Sequence, residues 1–261
     1  MSCCPPNASP FLAASTPNAG TVVHLPAANV NVYEVGDASS SKGLFVCPDI
    51  WGWHGGRTRN VADFFAAQGY LCVVPQLLVP ALEGGTDGDG FPPGFDMSVR
   101  GGEFKPFMGT FSWDDFKPKM AAVKAHLESK GVSSGSLLGF CFGGWVVCRT
   151  LTDPELGGGS FWKAGAIAHP SIQLEEYVYG GKTAELMAQV PAQTPLLLLP
   201  AKGDSPNYDA PDGEWISRNC ESIRFPDQDH GFVVRGDISN EETNKAVHDA
   251  LDRIYQFLAK H

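Results

Sequence analysis

Ser136-Leu137-Leu138-Gly139-Phe140-Cys141-Phe142-Gly143-Gly144-Trp145 is the stretch on which the reading of this chain turns. A short apolar strand runs into Gly139-Phe140-Cys141-Phe142-Gly143, and an apolar helical segment follows. This is the G-x-S-x-G pattern of a nucleophile elbow, with cysteine in the serine position. Each part has a physical reason. A strained strand-to-helix turn lifts the nucleophile above the sheet, and the flanking glycines let strand and helix backbones pass closely. The amide of Phe142 falls at a helix N-terminus, where it can donate to an oxyanion, and the same positive helix end favours a thiolate at Cys141. The plainer alternative is a glycine-rich turn holding an inert buried cysteine, so the surrounding sequence has to decide.

Upstream, TVVHL and NVNVYEV alternate in hydropathy on either side of Pro26 and read as an antiparallel hairpin at a sheet edge. Gly43 to Pro48 (GLFVCP) and Tyr70 to Pro75 (YLCVVP) are continuous apolar runs, as expected of strands buried on both faces. Between them, residues 58–68 place Val61, Phe64 and Phe65 on one helical face before Gly69. Strand, helix, strand at this spacing is a βαβ unit. Residues 76–112 break the rhythm with Gly, Pro and Phe; a stretch this long is expected to form a cap or rim over a pocket. A helix at 113–130, a strand at 136–138, a helix at 143–151, strands at 164–168, 195–200 and near 222–225 then restore the alternation. The last helix is expected to start at Ser239 with a capping box through Ser239 and Glu242, and to bury Val247, Leu251, Ile254 and Leu258. The fold expected is a mostly parallel, doubly wound α/β sheet with its chemistry at the carboxyl ends of the strands.

Composition excludes several classes. The chain has 261 residues, 43% of them hydrophobic and 18% charged, with a net charge of −10. Nucleic acid and anionic membrane surfaces are poor partners for that charge. The seven cysteines, Cys3, Cys4, Cys47, Cys72, Cys141, Cys148 and Cys220, include no CxxC pair, so neither zinc nor any other metal or cofactor is expected. Residues 1–19 are read as an irregular tail in which Cys3 and Cys4 lack a further ligand, and residues 20–261 as one domain. The N-terminus has no basic, apolar leader pattern and no run reaches the length of a membrane helix, so a cytoplasmic protein is expected, as a monomer or weak dimer.

A cysteine nucleophile needs a base, and the base needs an orienting acid. In folds with such an elbow these follow the nucleophile in the order acid, then histidine. His169, His230, His248 and His261 lie downstream. His248 falls within the last helix and His261 ends the chain, whereas His230 sits in FPDQDHGFVVRGD, between the last strand and the last helix. His169, in IAHPS, ends a strand and can line the site. Asp204 follows the strand PLLLLP in AKGDSP and is favoured as the acid over Asp209, Asp212, Asp227 and Asp229.

Taken together, the G-F-C-F-G-G elbow, the K-G-D loop, D-H-G-F-V-V-R-G-D and V-C-P-D-I-W-G resemble the dienelactone hydrolase family of the α/β-hydrolases over nearly the whole chain after the tail. The resemblance implies a single-domain α/β-hydrolase with a triad of Cys141, Asp204 and His230 and an oxyanion hole from the amides of Ile50 and Phe142. Asp49 stands where family members carry a glutamate that contacts the resting thiol, and is one methylene shorter. Arg235 resembles an arginine that binds the substrate carboxylate in some members; its alternative is an ion pair with Asp237 or another carboxylate. Arg100 does not align with the family's other substrate arginine. Trp51 and Trp53, beside Asp49, are candidates for an aromatic pocket wall. The activity implied is hydrolysis of a small, activated ester or lactone, with a carboxylesterase of broad range or a non-catalytic binding module as alternatives.

Overall fold

The computed structural model describes residues 16–157, 161–210, 212–213, 215–216 and 219–261. Cys3 and Cys4 lie outside them. The four described residues of the expected tail, 16–19, have no helix or strand but are tied to the first helix: Asn60 donates to the Thr16 carbonyl, and the Ala19 amide to Asp63.

In chain order the elements are β1 (Thr21–Leu25), β2 (Val30–Val35), β3 (Lys42–Cys47), α1 (Thr58–Ala67), β4 (Leu71–Pro75), α2 (Met97–Arg100), α3 (Phe104–Met108), α4 (Trp113–Ser129), β5 (Ser134–Phe140), α5 (Phe142–Thr152), β6 (Trp162–Ala168), α6 (Leu174–Tyr177), α7 (Thr183–Gln189), β7 (Leu196–Leu199), β8 (Ala201–Lys202), β9 (Cys220–Ser222), β10 (Phe225–Asp229), α8 (Phe232–Arg235) and α9 (Glu241–Lys260). Eight strands form one sheet in the order β1-β2-β4-β3-β5-β6-β7-β9, and β8 pairs with β10 in a separate ribbon. β1 and β2 pair antiparallel, as do β2 and β4; the rest of the large sheet is parallel.

The apolar runs become central strands because both faces of the sheet are covered. Alternate residues of β3 divide between two cores: Phe45 and Cys47 join Leu137, Trp145 and the helices α4 and α5, whereas Leu44 and Val46 join Leu138, Phe140 and the helices α1 and α9. The stripe Val247, Leu251, Ile254 and Leu258 of α9 is buried in the second core, as its spacing requires. Cys47 and Cys72 are fully buried thiols, matching their apolar context.

Two expectations are corrected. The N-cap of α9 is Asn240, whose side chain accepts from the Thr243 amide at 2.9 Å, not Ser239 with Glu242. Asp237 takes the amide and the hydroxyl of Ser239, at 2.9 and 2.7 Å, in a local turn that occupies the serine one residue too early to cap. The strand expected near 222–225 is two strands, β9 and β10, in different sheets.

Candidate functional site

The elbow takes the strained form its chemistry requires. Cys141 lies between β5 and α5 with φ +51° and ψ −114°, a conformation a non-glycine residue adopts only when its surroundings enforce it. Close packing provides that enforcement. A Cβ on Gly139 would lie 2.5 Å from the Gly143 carbonyl oxygen, and one on Gly143 only 2.2 Å from that of Cys47. Glycine at 143 thus lets the N-terminus of α5 press against the end of β3, which brings the Phe142 peptide beside the loop carrying Asp49 and Ile50. The thiol is fully buried, and its Sγ lies 3.3 Å from Ser171 Oγ.

His230 follows β10, and Asp204 follows β8, its partner in the two-stranded ribbon. Across it, His230 Nδ1 and Asp204 Oδ1 lie 2.7 Å apart, with both side chains buried. The other carboxylate oxygen accepts from the Ala201 amide at 2.7 Å, which fixes the Asp204 rotamer. The competing aspartates are engaged elsewhere or point outward: Asp209 pairs with Arg224 at 2.6 and 2.7 Å, and Asp212, Asp227 and Asp229 are exposed. His169 lies in contact with His230, ring centroids 5.1 Å apart, and is flanked by Phe140 and Phe232. Burial, reinforced by the charge of His230, holds His169 well below the usual histidine range, so it is neutral; the charge of Cys141 also reaches it. His169 thus neighbours His230 by ring contact and lies within reach of the charge of Cys141.

Asp49 and Arg235 form an ion pair with no solvent exposure, Nε to Oδ2 at 2.7 Å, and the guanidinium carbon lies 3.9 Å from the centre of a Trp51 ring. The partner of Arg235 is therefore Asp49, not Asp237. The other oxygen of Asp49 accepts from the Trp51 amide at 3.0 Å. Burial, with the nearby charge of Cys141, raises the Asp49 carboxyl above its usual range against the opposing pull of Arg235. Trp51 belongs to the core that contains Cys141 and Phe142, whereas Trp53 belongs to the opposite one, under the Arg59 guanidinium at 4.3 Å. Arg100 pairs with Glu103 at 2.7 Å and is partly exposed.

Two features had no counterpart in the sequence reading. Arg57 donates to the carbonyls of Phe232, Val233 and Gly236, so the loop bearing Ile50 is clamped to α8, just beyond His230. The second is the anchoring of residues 76–112. These fold into α2, α3 and turns, and Phe91 packs against Phe95, Phe104 and Phe107 with centroids 4.5, 6.0 and 4.9 Å apart. Phe91 also reaches Trp51, and its amide donates to the Ile50 carbonyl at 2.8 Å. Buried Asp89 accepts from the amides of Leu78 at 2.5 Å and Trp53 at 2.8 Å, stitching this segment to the loop that carries Ile50.

Burial raises the Asp89 carboxyl from 3.8 to about 6, although its backbone donors and Lys119 oppose the shift. Folded Asp89 thus holds its proton more tightly than the unfolded chain does. Its carboxylate destabilises the fold at neutral pH, and that penalty fades as the pH falls from about 6 toward 3.8. Asp89→Asn removes the titration. Over that interval the stability difference between the two proteins is expected to move about 3 kcal/mol in favour of the wild type, read by urea unfolding at fixed pH. Parallel pH profiles would exclude Asp89 as the source.

A mostly parallel sheet, a strained elbow and a buried His–Asp pair across the strand ends define an α/β-hydrolase fold. The chain belongs to the dienelactone hydrolase family, whose profile matches residues 30–261. It is 28% identical over 229 residues to hydrolase tropI of Talaromyces stipitatus, covering 82% of this chain and 80% of that one. It is 27% identical to the carboxymethylenebutenolidase homolog of Rattus norvegicus, covering 75% and 72% of the two chains. Among solved structures, a candidate dienelactone hydrolase from Klebsiella pneumoniae subsp. pneumoniae superposes with a TM-score of 0.68 at 18% identity, over 93% of this chain and 98% of that one. No helix among the described residues is long and apolar enough to cross a membrane.

Proposed function

We propose that this hydrolase cleaves a small lactone or activated ester through Cys141, His230 and Asp204, by way of a thioester. The observation that carries the reading is the buried His230–Asp204 pair, 2.7 Å between Nδ1 and Oδ1, together with an elbow cysteine held at φ +51°. Asp204 fixes the His230 tautomer so that Nε2 faces the chemistry. The Cys141 thiolate adds to the ester carbonyl, and the amides of Phe142 and Ile50 receive the oxyanion. Collapse breaks the C–O bond, and protonated His230 delivers its proton to the departing alkoxide or enolate. His230 then takes a proton from water as the water oxygen adds to the thioester, and the second collapse expels the thiolate. A thiolate is a good nucleophile but a poor match for stable amides, which favours enol lactones and activated esters over peptides.

Asp49, with its raised carboxyl, is suited to receive the thiol proton. Trp51 supports a pocket wall, and an anionic substrate group would compete with Asp49 for Arg235. Cys141 and His230 have no solvent exposure, so admission of an ester requires movement of the residues packed above them. The test compares hydrolysis of an anionic dienelactone with that of a neutral p-nitrophenyl ester by the intact protein. Preference for the lactone is expected. Turnover of the ester alone would keep the mechanism and move the substrate class to general carboxylic esters, and turnover of neither would favour a binding module.

A further inference from the structure

One polar neighbour of the nucleophile is a residue that no elbow motif contains. Ser171 Oγ lies 3.3 Å from Cys141 Sγ, with both residues fully buried, and the Ser171 amide donates to the Cys141 carbonyl at 3.1 Å. The serine is thus held to the cysteine at two points, through backbone and through side chain. Its loop is held on every side as well. The Cys141 amide donates to the Ala168 carbonyl at 3.2 Å, the His169 amide to that of Leu199 at 2.8 Å, and the Ile172 amide to the Tyr208 hydroxyl at 2.9 Å; that hydroxyl donates in turn to Gln173. A hydroxyl fixed in this way does not have to be ordered when charge develops on sulfur, which is what preorganised stabilisation requires.

Burial is the problem such a contact answers. Burial pushes the thiols of Cys47 and Cys148 far above the usual cysteine range, with the charges of Cys220 and Glu175 adding at Cys148, and so makes them inert. Cys141 is equally buried. The groups around it come from several elements: the N-terminus of the eleven-residue α5, Asp49 on the loop after β3, and neutral His169 and Ser171 after β6; Arg235 of α8 pairs with Asp49, and His230 after β10 packs on His169. Of these, Asp49 disfavours a thiolate while it is ionised and becomes neutral once it takes the thiol proton, and the helix terminus is only a partial charge. A hydroxyl donor at hydrogen-bonding distance is the neutral group that stabilises the anion directly.

We propose that Ser171 is a positioning residue for the nucleophile, its hydroxyl donating to the Cys141 thiolate and holding Sγ in place between turnovers. The inference rests on the reading of Cys141 as nucleophile. When the C–S bond forms, the sulfur lone pair passes to the carbonyl carbon and the hydroxyl loses its anionic acceptor. When the thioester is cleaved, the electron pair returns to sulfur and the hydrogen bond forms again. Ser171 therefore acts on the resting thiolate and on its departure.

The test needs no substrate. Thiolate absorbance in the ultraviolet is followed against pH for the full chain, and the signal of the Cys141→Ala variant is subtracted to isolate this one thiol. Ser171→Ala is expected to raise the midpoint by about one pH unit, roughly a tenfold loss of thiolate below it, and Ser171→Thr to restore it. Should Ser171→Ala fail to fold, Ser171→Val against Ser171→Thr gives the same comparison at constant shape. A midpoint that is unchanged or lowered in the variants lacking the hydroxyl, with Cys141 ionising normally in the wild type, would overturn the role of Ser171 alone. A wild type in which Cys141 never ionises below the range of the other cysteines would overturn the nucleophile, and Ser171 with it.

Discussion

Cys141→Ala is expected to lower ester turnover by at least about 10⁴-fold while changing unfolding free energy by about 1 kcal/mol or less. The first figure follows from the role: without a sulfur, neither the thioester nor its hydrolysis exists, and what remains is whatever the oxyanion donors and binding give. The second follows from the site. Alanine keeps the Cβ, so the strained φ of +51° is unchanged between wild type and variant, and only one buried sulfur atom is lost. The alternative reading, an inert core cysteine, predicts the reverse pattern of a loss in stability with turnover retained. Kinetics and denaturant unfolding on the same two preparations separate the two. Cys141→Ser refines the result. A hydroxyl in place of the thiol keeps shape but ionises far less readily, so its activity should fall well below that of wild type and rise above that of the alanine variant.

The parts of this site that were legible in the sequence are those that chain order constrains. The elbow is contiguous, its glycines report a close backbone approach, and Asp204 and His230 follow it in the order, acid then histidine, that accompanies such an elbow. The strand runs were legible because a strand covered on both faces must be apolar throughout. What escaped was set by contacts distant in sequence. Asp49 and Arg235 are separated by 186 residues, and nothing near either one names its partner. Ser171 lies 30 residues after Cys141 in a segment without a motif, and only its place just beyond a strand's carboxyl end, after His169, could have drawn attention to it. The 76–112 segment was visible as a cluster of phenylalanines, but not as helices, because α2 and α3 have four and five residues and are held by packing rather than by propensity. The misplaced cap of α9 is a local failure of the same kind. Asp237, Ser239 and Asn240 all suit a helix start, and the competition among their hydrogen bonds decided which residue took the role.

Arg235→Met is expected to destabilise the fold by about 3–5 kcal/mol, because it strands the Asp49 carboxylate without its countercharge in a site closed to water. Asp49→Asn should cost a comparable amount by removing the buried countercharge of the guanidinium, with the Trp51 ring as partial compensation. The double variant is the informative one. With both charges gone, neither desolvation penalty remains, so its stability should lie well above that of either single variant; three additive losses would show that packing, not charge, explains them. The same proteins report on substrate recognition. Since Nε of Arg235 is already bonded to Asp49, a carboxylate on the substrate must share this arginine with Asp49 or displace it. If Arg235 acts through Asp49, then Arg235→Met lowers kcat on neutral esters and anionic lactones by the same factor, at temperatures where the variant is folded. A rise in KM confined to anionic substrates would instead assign the guanidinium to the substrate, with Asp49 as the group it leaves on binding.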